Sequence, residues 1–200
     1  MSDPSPTRPP FEVVALAASA GGLQAVSAVL AALPAGFPAA IVLVQHLDPH
    51  HRSLMAEILG RRTPLTVRQA APGDRIAAGT VLIAAPGHHL LVDGDGSLSL
   101  TRTDPVHFVR PSADLLFGSM AAGFGARSIA VVLTGTGVDG QAGVRAVKAS
   151  GGTVIAQDRA TSGHFGMPGA AIQTGCVDRV LPLDAIAPTL LALVRGEDVR

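Results

Sequence analysis

Three polar side chains stand where short apolar runs break off into glycine: Ser19 after residues 13–18, His46 after residues 39–45, and Asp139 in the loop that follows residues 129–133. A hydroxyl, an imidazole and a carboxylate are the nucleophile, base and orienting group of acyl transfer. A serine oxygen attacks poorly until a base within hydrogen-bond reach takes its proton. A carboxylate on the far side of the ring fixes its tautomer and stabilises the imidazolium. The sequence beside them suits this chemistry. Ala20-Gly21-Gly22 leads from Ser19 into a helix-length segment, and Thr136-Gly137 precedes Asp139. Backbone amides at such a loop-to-helix junction can donate to a developing oxyanion. Taken singly, each residue also has an ordinary use: a serine as helix cap, a histidine as a structural strand end, an Asp-Gly pair as a plain turn. Only convergence of all three makes a triad. Their chain order, Ser then His then Asp, and the lack of a G-x-S-x-G elbow exclude the chymotrypsin-like, subtilisin-like and α/β-hydrolase families.

Convergence requires a frame that brings distant strand ends together. Continuous apolar runs at 13–18, 39–44, 81–85, 129–133 and 153–156, without polar alternation, predict strands buried on both faces. Helix-length segments at 23–33, 53–61, 113–123, 140–150 and 183–194 lie between or after them. The order predicts an α/β fold: a doubly wound, mostly parallel sheet with helices on both faces. The stretch 64–103 is less regular and carries Pro72-Gly73-Asp74, Pro86-Gly87 and Asp93-Gly94-Asp95-Gly96, which predict a small β-hairpin insertion. In such a sheet ligands bind beyond the carboxyl ends of the strands, where Ser19, His46 and Asp139 fall.

Composition bounds the rest. The 200 residues are 48% hydrophobic and 15% charged, which excludes disorder for the bulk of the chain. One domain over 11–195 is expected, behind a loose tail at 1–10 that has no apolar stretch of a signal peptide. Fifteen basic residues balance fifteen acidic ones, and aromatic residues are 3% with no Trp or Tyr. Neither an electrostatic footprint nor a stacking platform for nucleic acid is expected, and no run is long enough to insert in a membrane. The single cysteine, Cys176, cannot form an internal disulfide, so a reducing, cytoplasmic setting is the default.

Two decoys compete. Gly135-Thr136-Gly137-Val138-Asp139-Gly140 is literally G-x-G-x-x-G after a strand, and Asp158 ends the next strand, as in a dinucleotide-binding fingerprint. Against it, Asp139 would set a carboxylate beside the pyrophosphate. His46, His50, His51, His88 and His89 invite a zinc reading, but no carboxylate spacing accompanies them, and neither a metal nor a cofactor is expected. A silent scaffold that binds a receptor is the non-enzymatic alternative, and filling all three triad roles argues against it.

The blocks Ala18-Ser19-Ala20-Gly21-Gly22, Val44-Gln45-His46, Arg110-Pro111-Ser112-Ala113-Asp114, 133–140 and Gly166-Met167-Pro168 together resemble the signature segments of the chemotaxis protein-glutamate methylesterase (CheB-type) catalytic domain. The resemblance runs from about residue 11 to 194. It implies a serine hydrolase that demethylates glutamyl methyl esters on chemoreceptors with release of methanol, and that also deamidates receptor glutamines. On it, Ser19 is the nucleophile, His46 the base and Asp139 its partner. Ala20, Thr136 and Val138 depart from the commonest family residues. Arg110 is the candidate cation for an acidic receptor helix, with Arg127, Arg145 and Arg159 as alternatives. Only about ten residues precede the first strand, so control by a fused receiver domain is not expected: the domain is constitutive, or is controlled by a separate regulatory protein, or belongs to a system other than motility.

Overall fold

The computed structural model describes residues 11–46 and 53–197. The expected tail at 1–10 lies outside these residues. The five apolar runs form strands β1 (Val13–Ala18), β2 (Ala40–Gln45), β4 (Thr80–Ile83), β7 (Ser128–Val132) and β8 (Thr153–Gln157) of one parallel sheet, which β3 (Thr66–Gln69) and β9 (Arg179–Leu181) complete at its edges, in the order β3-β4-β2-β1-β7-β8-β9. Strands β5 (His89–Val92) and β6 (Leu98–Thr101) pair antiparallel as a separate hairpin. The insertion is therefore narrower than the expected 64–103. Thr66–Gln69 and Thr80–Ile83 extend the main sheet, because β4 pairs with β2 and β3 with β4.

Helices α1 (Gly22–Ala31), α2 (Met55–Gly60), α3 (Ala113–Phe124), α4 (Gln141–Ala149), α5 (Gly166–Gln173) and α6 (Leu183–Arg195) cover the sheet. Because side chains alternate along a strand, β1 feeds two cores at once. Val14, Leu16 and Ala18 pack with α1 and α6, and Val13, Ala15 and Ala17 pack with α3 and α4. All six β1 residues are buried, which is why the run shows no polar alternation. Helix α1 carries the chain from β1 toward β2, and α4 carries it from β7 toward β8 on the opposite face. The connections from β1 and its neighbour β7 thus diverge, opening the crevice in which doubly wound sheets bind ligands.

Helix α5 was not legible in the sequence, because Gly166-Met167-Pro168-Gly169 reads as a loop. Pro168 lies in the first turn, where its missing N–H removes no helical bond. Helices α3 and α4 cross closely: a Cβ on Gly143 would come within 2.6 Å of Phe117 Cβ. No helix of the described residues is long and apolar enough to cross a membrane.

Candidate active site

The parallel register aligns Ala18 with Gln45, so Ser19 and His46 are the next residues on neighbouring strands, roughly 5 Å apart across the sheet. The ladders continue through them. The Ser19 amide donates to the Thr134 carbonyl at 3.0 Å, and the His46 amide donates to the Ala18 carbonyl at 3.1 Å. Ser19 is therefore flanked by the β2 end on one side and the β7 end on the other. Its carbonyl is pinned by two donors, Gln45 Nε2 at 2.7 Å and the Gly22 amide at 2.8 Å.

His46 Nε2 lies 2.8 Å from Asp139 Oδ2. Asp139 is 3% exposed, and it also accepts from Ser112 Oγ at 2.7 Å, the Ala113 amide at 2.6 Å and the Asp114 amide at 3.2 Å. Its carboxylate thus sits on the amino end of α3. Burial alone would raise its pKa, but the bonds from the His46 ring, the Ala113 amide and the Ser112 hydroxyl outweigh burial and hold it below the ordinary carboxylate value. An ionised carboxylate only accepts, so His46 Nε2 carries the ring proton. Nδ1 is then the nitrogen left to take a proton from a nucleophile. The ring is used the other way round from the chymotrypsin arrangement, where Nδ1 faces the carboxylate. Ser19 Oγ makes no hydrogen bond to the described residues.

The carboxylates are exchanged between the two helices. Asp139 precedes α4 yet caps α3, while Asp114, in the first turn of α3, accepts from the Gly143 amide of α4 at 2.8 Å. Burial raises the Asp114 pKa, the Gly143 bond opposes this, and the nearby negative charge of Asp139 adds to the rise. His107 Nε2 stands 3.1 Å from Asp114 Oδ2, close enough for an ion pair but without hydrogen-bond alignment.

The loops around Ser19 leave little room. A Cβ on Gly135 would lie 2.5 Å from Met167 Sδ and 2.9 Å from Ser19 Cβ, and one on Gly22 would run into the Gln45 amide and Ala18. Gly21, at φ 78°, begins α1 in the left-handed region that favours glycine. Among the expected oxyanion donors, the Gly22 amide is engaged by the Ser19 carbonyl, whereas the amides of Ala20, Gly21, Thr136 and Gly137 make no bond to the described residues. Thr136 and Gly137 are exposed at the rim.

Arg110 uses one end of its guanidinium to hold main-chain carbonyls. Its Nη1 donates to the Arg102 carbonyl at 3.1 Å and the Thr103 carbonyl at 2.9 Å, clamping the end of the hairpin to the segment before α3. Arg127 pairs with Glu12 at the amino end of the sheet, and Arg145 donates to the Gln141 carbonyl of its own helix. Arg159 lies over the Phe165 ring, 4.2 Å from its centroid, in a cavity of about 380 Å³ that Gly137 and Val138 also line.

His50 and His51 lie outside the described residues. His88 and His89 each have both ring nitrogens engaged: His88 by Pro86 and Arg102, and His89 by Ser112 and Asp104. Among the described residues no cluster of three or more His, Cys, Asp or Glu side chains could hold a metal ion. Asp158 is bonded to Thr161, within its own loop. Gln45, Ser112 and Thr134 were not singled out as site residues. All three fell inside the quoted blocks, but their contacts are made across the fold.

Fold and site define a doubly wound α/β protein with a largely buried carboxylate-imidazole pair beside a serine, where the strand order reverses between β1 and β7. The CheB methylesterase family profile matches residues 14–190. The chain belongs to that family. A Burkholderia orbicola protein named protein-glutamate methylesterase/protein-glutamine glutaminase 3 is 48% identical over 191 residues, 96% of this chain and 56% of that protein. A Moorella thermoacetica protein named protein-glutamate methylesterase/protein-glutamine glutaminase is 45% identical over 193 residues, 94% of this chain and 46% of that one. The crystal structure of the Thermotoga maritima CheB methylesterase catalytic domain superposes with a TM-score of 0.88 at 37% identity, covering 92% of this chain and 99% of that one. The chain thus spans about half the length of the curated relatives it matches and nearly all of a catalytic domain.

Proposed function

We propose that the protein is a cytoplasmic protein-glutamate methylesterase, which hydrolyses side-chain methyl esters of glutamyl residues on a chemoreceptor. Ser19 is the nucleophile, His46 the general base and acid, and Asp139 the group that orients the ring. The 2.8 Å contact between His46 Nε2 and Asp139 Oδ2, one strand away from Ser19, carries this reading. The names of the relatives support the substrate class.

With Nε2 committed to Asp139, Nδ1 accepts the Ser19 proton as Oγ attacks the ester carbonyl, a side-chain rotation bringing the hydroxyl to the ring. The oxyanion is received by free amides among Ala20, Gly21, Thr136 and Gly137. Collapse transfers the Nδ1 proton to the methoxy oxygen, methanol leaves, and a glutamyl ester of Ser19 remains. Water, deprotonated by the same nitrogen, then hydrolyses it to the free glutamate. A glutamine side chain follows the same path with ammonia as leaving group. Arg110 remains a candidate cation for an acidic receptor segment, and Arg159 is a second one, in the cavity that Gly137 and Val138 also line.

Methanol release from a methyl-esterified receptor fragment tests the assignment. Wild type turns over, while Ser19→Ala and His46→Ala fall to background, since loss of a triad nucleophile or base costs roughly 10⁶ in kcat. Activity of either variant within about tenfold of wild type refutes the roles given to these residues.

A further inference from the structure

His89 is the first residue of the hairpin strand β5, and its side chain is wholly buried. It belongs neither to the parallel sheet nor to the triad. Its Nδ1 accepts from the Ser112 backbone N–H at 3.1 Å, and its Nε2 lies 3.1 Å from the Asp104 carbonyl. An amide can only donate and a carbonyl can only accept, so the ring is held neutral with its proton on Nε2. Ser112 is the cap residue of α3, and its hydroxyl donates to Asp139 Oδ1 at 2.7 Å. A continuous set of bonds therefore runs from the Asp104 carbonyl through the His89 ring, the Ser112 amide and hydroxyl and the Asp139 carboxylate to His46. The hairpin is tied to α3 a second time, by the Val92 amide bonded to Ser119 Oγ at 3.0 Å.

We propose that His89 is a positioning residue for the esterase reaction. By holding the Ser112 amide it sets where the Ser112 hydroxyl and the two following amides meet Asp139, and so where Asp139 holds the His46 ring. The hairpin is then part of the support of the active site rather than a surface ornament. Buried polar chains of this kind act through geometry: a shift of one member moves the next because no water is at hand to replace the lost bond. Outer-shell partners that orient a metal-binding imidazole commonly matter by about 10–100-fold when removed, and the same order is expected where the oriented imidazole is a general base. This inference rests on the proposed methylesterase reading.

Two conservative substitutions separate the nitrogens. In His89→Asn the side-chain oxygen stands near the place of Nδ1 and can still accept from Ser112. In His89→Gln the amide reaches toward the place of Nε2 and the near acceptor is lost. Against a methyl-esterified receptor fragment, His89→Gln should lower kcat by about 10–100-fold with KM little changed, and His89→Asn should recover most of that loss. Ser112→Ala should give the same kcat defect, and the Ser112→Ala, His89→Gln double variant should be no worse than the poorer single one, because both break one chain. The second readout needs no substrate: the downfield ring N–H resonance of the His46–Asp139 bond, identified by its disappearance in Asp139→Asn, should broaden or shift in His89→Gln and stay in His89→Asn. Wild-type kcat in His89→Gln with an unmoved resonance overturns the proposal. So does an equal defect in the two His89 variants that follows their loss of melting temperature, or additive effects in the double variant. Should His89→Gln fail to fold, a Ser112→Ala kcat equal to that of wild type overturns it as well. Absence of wild-type esterase activity would sink the proposed function, and the resonance would still decide the positioning.

Discussion

At the residue scale, the site rests on one carboxylate that does two jobs. Asp139 orients His46 and closes the amino end of α3, receiving four bonds from side chains and amides. Asp139→Asn keeps the volume, but one of its two terminal atoms becomes a donor facing donors. We expect kcat to fall by about 10⁴, the cost of replacing a triad carboxylate with its amide. Urea unfolding should register a stability loss of about 1–3 kcal/mol from the unmatched donors. A variant with near-normal kcat in single-turnover assays would separate Asp139 from the chemistry. Gly135 makes a complementary case. An added methyl would press on both Met167 Sδ and Ser19 Cβ, so Gly135→Ala should displace the nucleophile. Its kcat should drop far more than its melting temperature, because a misplacement of 1 Å can cost about 10²-fold.

At the element scale, helices α3 and α4 exchange caps through Asp139 and Asp114, and the two carboxylates respond to acid in opposite directions. The Asp139 pKa is depressed in the folded state, so its contribution to stability is complete above the ordinary value of 3.8 and is lost as pH falls through its lower folded value. The Asp114 pKa is raised, so its contribution is complete below 3.8 and is lost as pH rises through its higher folded value. Asp114→Asn keeps an acceptor for the Gly143 amide and removes a negative charge beside Asp139. Denaturant midpoints should therefore show Asp114→Asn gaining on wild type as pH climbs from acid toward neutrality, and Asp139→Asn losing ground over the acid side of that range. The reverse order would overturn the pKa directions. The sequence showed these helices, and the Asp114 and Asp139 motifs, without showing the exchange. A cap given to another helix has no fixed spacing along the chain. For the same reason nothing in the sequence set His89 apart from the other histidines of the zinc reading, although it is wholly buried.

At the scale of the whole molecule, each central strand supplies alternate residues to two cores, so the two faces should not unfold separately. Leu16→Ala, on the α1 and α6 face, should cost about 2–5 kcal/mol, and Phe117→Ala, on the α3 and α4 face, about 3–5 kcal/mol. Both should move one urea transition with little change of slope. Two resolved transitions in either variant would show that the sheet does not couple its faces.

The sequence by itself determined the α/β class, five of the strands with the helices between them, the crevice beyond the strand ends, and the candidate serine, histidine and aspartate. Those features are local: apolar runs, glycine breaks and short motifs keep their meaning wherever the chain goes. Tertiary structure decided what has no local signature. It placed Thr66–Gln69 and Arg179–Leu181 as edge strands, because edge pairing needs only backbone groups and leaves few apolar side chains to mark it. It formed α5 across a Gly-Met-Pro-Gly stretch, because proline is harmless in a first turn. It also committed Arg110 to backbone carbonyls and turned Nε2, not Nδ1, of His46 toward Asp139. Direction and partnership depend on how distant segments pack, and spacing along the chain does not encode them.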